Sequence, residues 1–262
     1  MITSFIVDAF THKAFGGNPA AVCLLDTEMS DEKMQLIAAE FNLSETAFLI
    51  RSGDDSWKLR WFTPTTEVNL CGHATLASAH VLINECGLTN EIFRFQTRSG
   101  ELTAKAIDQK IELNFPLTST YPLQDTEFFK SVESNFVSLH QAGEDLLMEL
   151  PNEQAVRNYQ PNLSAIEQLD CRGLMITAAS DASEFHFVSR FFGPRFGINE
   201  DPVTGSAHCA LIDFWHKKTG RTHFIARQVS KRQGILDIEL LDNRVTLRGN
   251  SVTTANVQLR VD

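Results

Sequence analysis

The sequence has no Cys-x-x-Cys pair, and its five cysteines are an odd number. No secretory leader is readable in the opening MITSFIVDAF, so the cysteines are expected to be thiols of a cytoplasmic protein rather than a disulfide framework. No apolar run approaches the roughly 20 residues that cross a bilayer, and no membrane partner is expected. Basic residues are in the minority, with 23 Lys+Arg against 33 Asp+Glu and a formal net charge of -10. That balance argues against nucleic acid or an anionic lipid surface as partner. HExxH, clustered-carboxylate, GxGxxG and Walker motifs are all missing, and Gly16-Gly17 lacks the helix that phosphate binding needs. Neither a metal nor another cofactor is expected. What is present, 262 residues with 43% hydrophobic content, is the composition of a globular protein of one large or two ordinary domains.

Alternating and turn-bounded segments predict strands at 4–10, 20–25, 46–51 and 57–63, then a meander at 92–97, 102–107 and 110–115. Ser30 caps an acidic first turn, and Met34, Ile37, Ala38 and Phe41 form the apolar stripe of a helix. A second helix runs from about Gly72 to Asn84 and stops at Cys86-Gly87. Pro116 to Pro122, with two prolines and three hydroxyl residues, reads as a linker. Beyond it the chain is polar and poorly patterned to about Asn162, where a short helix to Leu169 begins. Strands at 173–178 and 184–192 precede a helix from about Ser206 to Lys218, closed by Thr219-Gly220. Strands at 224–229, 235–241, 244–247 and 252–261 finish the chain. Strands outnumber helices and connections are short, which favours an antiparallel α+β architecture over regular βαβ alternation.

The two halves resemble each other. Leu59-Arg60-Trp61-Phe62 leads through an acidic loop to Cys71-Gly72-His73-Ala74 and a helix. Ser189-Arg190-Phe191-Phe192 leads through Glu200-Asp201 to Thr204-Gly205-Ser206-Ala207 and a helix. The two glycines lie about half the chain apart, so an internal duplication is expected. Both helices are nearly free of charge and rich in small residues, and such helices are enclosed rather than laid on a surface. Each half is therefore expected to be a curled sheet around one central helix.

The first N–H groups of a helix lack internal partners and carry partial positive charge, and a preceding Gly lets a ligand come close. Gly72-His73 and Gly205-Ser206 are candidate anion sites. For either Gly alone a turn into a buried helix is a sufficient account, whereas a matched pair favours a site. In Leu43-Ser-Glu-Thr-Ala-Phe-Leu49, alternation sets Glu45 on a face with Leu43, Ala47 and Leu49. A carboxylate among apolar neighbours should have a raised pKa, as a proton-transfer group working near neutrality requires; the alternative is a strand-edge Glu facing water, and the residues alone leave Glu45 one acid among 33. Of the other histidines, His80 and His208 are expected along the enclosed helices, hydrogen-bonded in the core. His12, His140, His216 and His223 are expected at or near the surface.

With these residues in view, the sequence resembles the phenazine-biosynthesis PhzF-like family, relatives of diaminopimelate epimerase. The resemblance rests on Val7-Asp-Ala-Phe-Thr11, Phe15-Gly-Gly-Asn-Pro-Ala-Ala-Val22, Ser44-Glu-Thr-Ala-Phe48, Phe62-Thr-Pro-Thr65, Cys71-Gly-His-Ala-Thr75 and Glu200-Asp-Pro-Val-Thr-Gly-Ser-Ala207. Nothing from about 120 to 180 matches. The resemblance implies two pseudo-symmetric domains, 1–117 and 118–251, each a β-barrel-like sheet around a central helix. The last strand, about 252–262, packs back on the first domain. It further implies a homodimer and a cofactor-independent isomerase that moves a proton on a small carboxylate-bearing substrate held in an interdomain cleft. The family's catalytic Glu falls on Glu45, its cleft His and Asp on His73 and Asp201, and its anion-holding positions on Gly72, Gly205 and Ser206. The epimerase relatives use a thiol at each helix start, but here Cys71 is matched by Thr204, which forms no anion near pH 7. A one-carboxylate hydrogen shift fits better than a two-thiol inversion. A non-catalytic binding protein and a one-thiol epimerase using Cys71 are the alternatives.

Overall fold

The computed structural model describes residues 1–261. The chain divides into two compact units, the first made of Met1–Phe115 with the stretch from Leu247 onward, the second of Pro116–Thr246. The boundaries fall slightly earlier than the expected 117/118 and 251/252, because strands rather than turns carry the chain across both.

In the first unit, β1 (Ile2–Ala9), β2 (Asn18–Leu25), α1 (Asp31–Phe41), β3 (Glu45–Arg51), β4 (Ser56–Phe62) and β5 (Glu67–Val68) precede α2 (Gly72–His80). A π-type turn, Val81–Glu85, extends α2 to the expected stop at Cys86. The meander follows as β6 (Phe93–Thr97), β7 (Gly100–Ile107) and β8 (Lys110–Pro116). Ser30 caps α1 by accepting from the Lys33 N–H, and Met34, Ile37 and Ala38 pack with Phe48 and Phe62 on one side of the sheet. Every residue of α2 from His73 to His80 is buried, as a helix apolar all round requires.

The second unit contains β9 (Thr120–Pro122), β10 (Ser138–Ala142), β11 (Asp145–Glu149), α3 (Glu153–Asn158), α4 (Leu163–Glu167), β12 (Leu174–Ala179), β13 (Phe187–Gly193) and β14 (Ile198–Asp201). Then come α5 (Gly205–Thr219), β15 (His223–Gln228), β16 (Gly234–Leu241) and β17 (Arg244–Gly249), whose end passes into the first unit. There β18 (Ser251–Leu259) pairs antiparallel with β1. Helix α5 is enclosed like α2, buried at every position from Ala207 to Trp215.

Two expectations are corrected. The supposed linker holds β9, an edge strand on β10, and the Thr120 N–H and hydroxyl both donate to Asp213 Oδ2 at 2.7 and 2.6 Å. Prolines are tolerated there because an edge strand need not donate on both sides. The sheets are also not simply antiparallel. β2 with β3, β4 with β6, β11 with β12 and β13 with β15 are parallel, each pair bridged by helix: α1, α2, α3 with α4, and α5 respectively. Both units thus repeat one order of parallel and antiparallel pairings inside a sheet-dominated α+β fold. The Arg of each aromatic strand explains part of the repeat. Arg60 forks onto Glu67 at 2.7 and 2.7 Å over the Phe62 ring, and Arg190 onto Glu200 at 2.6 and 3.0 Å over Phe192. A planar bidentate pair tying one strand to the next fixes where the following helix begins.

Candidate active site

Asn18 and Glu45 open the adjacent parallel strands β2 and β3, with Ala20 opposite Glu45. Gly17 makes this possible. At its φ of +59°, a Cβ would stand 2.0 Å from the Ala9 carbonyl oxygen, so only glycine brings the chain past β1 to set Asn18 in place. Glu45 shares its strand face with the buried Ala47 and Leu49, but β3 lies between β2 and β4 and is buried on both faces from Thr46 to Leu49, so alternation does not set that face apart. Its position at the strand's first residue keeps its side chain 12% exposed.

Three groups meet at the start of α2. His73 Nε2 lies 3.2 Å from Glu45 Oε2, Asn18 Nδ2 lies 3.2 Å from His73 Nδ1, and Cys71 Sγ lies 3.5 Å from the same nitrogen. Burial pushes the His73 pKa down to about 3, so the imidazole is neutral and its contact with Glu45 is not an ion pair. With the Asn18 amide hydrogens toward Nδ1, hydrogen-bond logic assigns the ring proton to Nε2, the nitrogen nearer Glu45, at a contact outside hydrogen-bond geometry. The same cluster offers a metal donor set: ligand atoms of Glu45, Cys71 and His73 all lie within 4.8 Å of one another.

The second unit builds a different corner from matching places. Asp145 opens β11, and Arg172 just precedes β12, the parallel partner of β11. Arg172 Nε donates to Asp145 Oδ1 at 2.9 Å, and Nη2 donates both to Asp145 Oδ2 and, at 3.1 Å, to Ser206 Oγ. Burial alone would lower the guanidinium pKa, but Asp145 more than offsets that and Arg172 stays charged. Gly173 lets Phe191 under the guanidinium; a Cβ there would meet the Phe191 ring at 2.3 Å. Because arginine only donates, Ser206 Oγ accepts that bond and keeps its own proton for another partner. Asp201 is buried at the end of β14, where its Oδ2 accepts from the Thr204 hydroxyl at 2.5 Å. Gln228 completes the turn, accepting from Thr204 N–H at 2.8 Å and donating to the Asp201 carbonyl at 2.7 Å.

The caps distinguish these two helices from the others. Side chains of Ser30, Asn152 and Asn162 cap α1, α3 and α4. No side chain caps α2 at Cys71 or α5 at Thr204. Neither N-cap side chain accepts from the first turn, and the partial positive charge of such a helix start suits an anion.

Of the residues expected from sequence, Glu45, Gly72 and His73 come together in the first unit, and Asp201, Gly205 and Ser206 lie around the α5 start in the second. His80 bonds Thr253 and Asn84, and His208 bonds Thr204 and Ser189, as structural histidines. The sequence reading missed Asn18, Asp145, Arg172 and Gln228. Asn18 lies in the quoted Gly-Gly-Asn-Pro stretch, where its residue type alone does not mark it as a site residue. Arg172 and Asp145 lie in the stretch without a recognisable motif.

The family model described as phenazine biosynthesis-like protein (PhzC-PhzF) matches residues 7–257. A protein of Halalkalibacterium halodurans named an uncharacterized isomerase is 46% identical over 97% of both chains. The crystal structure of a PhzF family protein from Enterococcus faecalis is 40% identical, covers 99% of both chains and superposes with a TM-score of 0.92. A predicted epimerase from Pseudomonas aeruginosa, 19% identical with a TM-score of 0.79 over the full length of both, shares the fold.

Proposed function

The chain belongs to the phenazine biosynthesis-like (PhzC-PhzF) family, whose relatives are named isomerases, and from that premise we propose that it is an isomerase in which Glu45 takes a proton from one carbon of a small carboxylate and returns it to another. The observation that carries this reading is the Glu45 carboxylate 3.2 Å from a neutral imidazole beside an uncapped helix start. In the forward step the C–H bond breaks, its electron pair spreads into the substrate's π-system, and the proton passes to Glu45. Reprotonation at a second carbon completes the shift with no net change in charge, so the residues need supply no redox partner. The neutral His73 ring, 3.2 Å from the carboxylate, is a positioning residue beside it. The amides at 72–73 are the carboxylate-holding groups beside Glu45; in the second unit the amides at 205–206, the Ser206 hydroxyl and the Arg172 charge form an anion-holding corner of their own. Asp201 serves as a positioning residue through Thr204.

The single carboxylate is favoured over a pair of thiols because Thr204 replaces the second thiol and its hydroxyl is committed to Asp201 at 2.5 Å. The one-thiol reading draws on Cys71 Sγ at 3.5 Å from His73 Nδ1, and retained turnover in Cys71→Ser argues against it. The test of the leading reading is a screen of unsaturated and cyclic small carboxylates in deuterium oxide, followed by NMR. Solvent hydrogen should enter the substrate with the native chain and fail to enter with Glu45→Gln. A ligand that raises the melting temperature but exchanges no hydrogen favours a binding protein instead.

A further inference from the structure

Glu45, Cys71 and His73 are scattered over 28 residues of sequence and match no metal motif, yet the fold gathers a carboxylate, a thiol and an imidazole with ligand atoms within 4.8 Å of one another, all largely buried. We propose that this trio binds one thiophilic divalent cation of the zinc type, and that the bound cation blocks the proton-transfer site. One sulfur, one nitrogen and one oxygen form a donor set that zinc accepts, and three protein ligands leave a fourth tetrahedral position for water or a small anion. Zinc's bond lengths to sulfur, nitrogen and oxygen imply ligand–ligand separations of about 3.3–3.6 Å in a tetrahedron. Glu45 Oε2 already stands 3.2 Å from His73 Nε2, and Cys71 Sγ stands 3.5 Å from the other ring nitrogen. Coordination through Nε2 keeps the Glu45 separation and requires the Cys71 side chain to swing from the Nδ1 side of the ring toward Nε2.

A metal-bound imidazole needs an acceptor for its other N–H. Asn18, fully buried, is in place for that role. Its amide faces Nδ1 at 3.2 Å, and turning the carboxamide end for end presents the oxygen instead of the nitrogen. The second unit offers no such set at the matching places, where Arg172, Thr204 and Ser206 stand. Binding is an exchange without redox chemistry: the cation enters, the Cys71 thiol loses its proton to solvent, the Nε2 proton leaves to solvent while Nδ1 takes one up, and the carboxylate becomes a metal ligand.

Metal binding stands independently of the acid/base assignment; only the blocking effect rests on it. The experiment uses the full chain, with Co2+ and Zn2+ as probes. One Co2+ per chain should bind with a thiolate-to-cobalt absorption band in the near ultraviolet, retained in Cys86→Ser, which removes the exposed thiol. The band should disappear in Cys71→Ser, and affinity should fall at least tenfold in Glu45→Gln, a near-isosteric change. If Cys71→Ser fails to fold, X-ray absorption of the Zn2+-loaded native chain decides instead, with one sulfur expected at about 2.3 Å beside nitrogen and oxygen ligands. A zinc shell without sulfur, or a cobalt band that survives Cys71→Ser and vanishes in Cys86→Ser, overturns the proposal. Loss of hydrogen exchange on loading Zn2+ supports the blocking effect. Unchanged exchange in a chain shown to hold the ion removes the blocking effect and the role of Glu45 together, while leaving the cation site standing.

Discussion

The two units use one scaffold for opposite electrostatics. Where the first sets Asn18 at the head of β2, Glu45 at the head of β3 and His73 in the first turn of α2, the second sets Asp145, Arg172 and Ser206. The first corner is a carboxylate against a neutral imidazole, suited to carrying a proton. The second is a permanent cation that orients a hydroxyl, suited to holding an anion. The parts that set the helix starts have been kept: the Arg–Glu fork, the bend into the helix, and the absent side-chain cap. The side chains around the two helix starts differ. Duplication of a structural frame thus leaves room for one copy to do chemistry and the other to bind.

The sharpest way to break the comparison is at the forks, which differ in what else they hold. Arg190 also donates to the Val156 and Tyr159 carbonyls at 3.2 and 2.7 Å, and among the described residues no other cation pairs with Glu200. Glu67 keeps Arg98 at 2.7 Å when Arg60 is removed. Chemical denaturation should therefore show Arg190→Ala costing about 2–4 kcal/mol and Arg60→Ala about 1–2 kcal/mol. Equal losses would mean that the forks are not the units' anchors.

A second prediction separates the corners by role. Arg172→Ala should weaken substrate binding by roughly 10- to 100-fold, the scale of a lost charge-assisted contact, and Arg172→Lys should recover part of it. The signature is a rise in KM with kcat little changed; a fall in kcat alone would place Arg172 in the proton path.

A third concerns pH. Burial depresses the His208 pKa to about 4, against an ordinary value near 6.5. Between those values the unfolded chain binds a proton that the folded chain refuses, so stability is full above pH 6.5 and falls as pH drops toward 4. The melting temperature should decline over that window, and His208→Gln should flatten its slope. The smallest effect is expected from Cys71→Ser, with hydrogen-exchange activity within about threefold of native if the thiol is not the proton carrier. A hundredfold loss would favour the one-thiol reading.

Much of this was legible in the sequence, for physical reasons. Helices with no charged face have nowhere to lie but inside a sheet, so the enclosure of α2 and α5 followed from composition. The repeat was visible because a bidentate Arg–Glu fork needs its residues in a fixed order. The parallel pairings were not legible, because short strands buried on both faces lack the alternation that reports their partners. β11 was hidden for a related reason. Asp145 and Glu149 bracket it with charge in a polar, poorly patterned stretch, yet both are buried with Arg172 and Lys218 reaching them from distant positions. At the site, the helix starts were readable from their glycines. Asn18 and Arg172 act across strands, and a distance in space leaves no trace in spacing along the chain.

The central claim is that one carboxyl group both removes and restores the migrating hydrogen. It is tested most directly by following single turnovers in mixed light and heavy water with the native chain and with Glu45→Gln. The account predicts label at the new C–H position, part of the migrating hydrogen kept from the substrate, and a loss in the mutant of about a hundredfold or more. Undiminished label uptake by Glu45→Gln would contradict it.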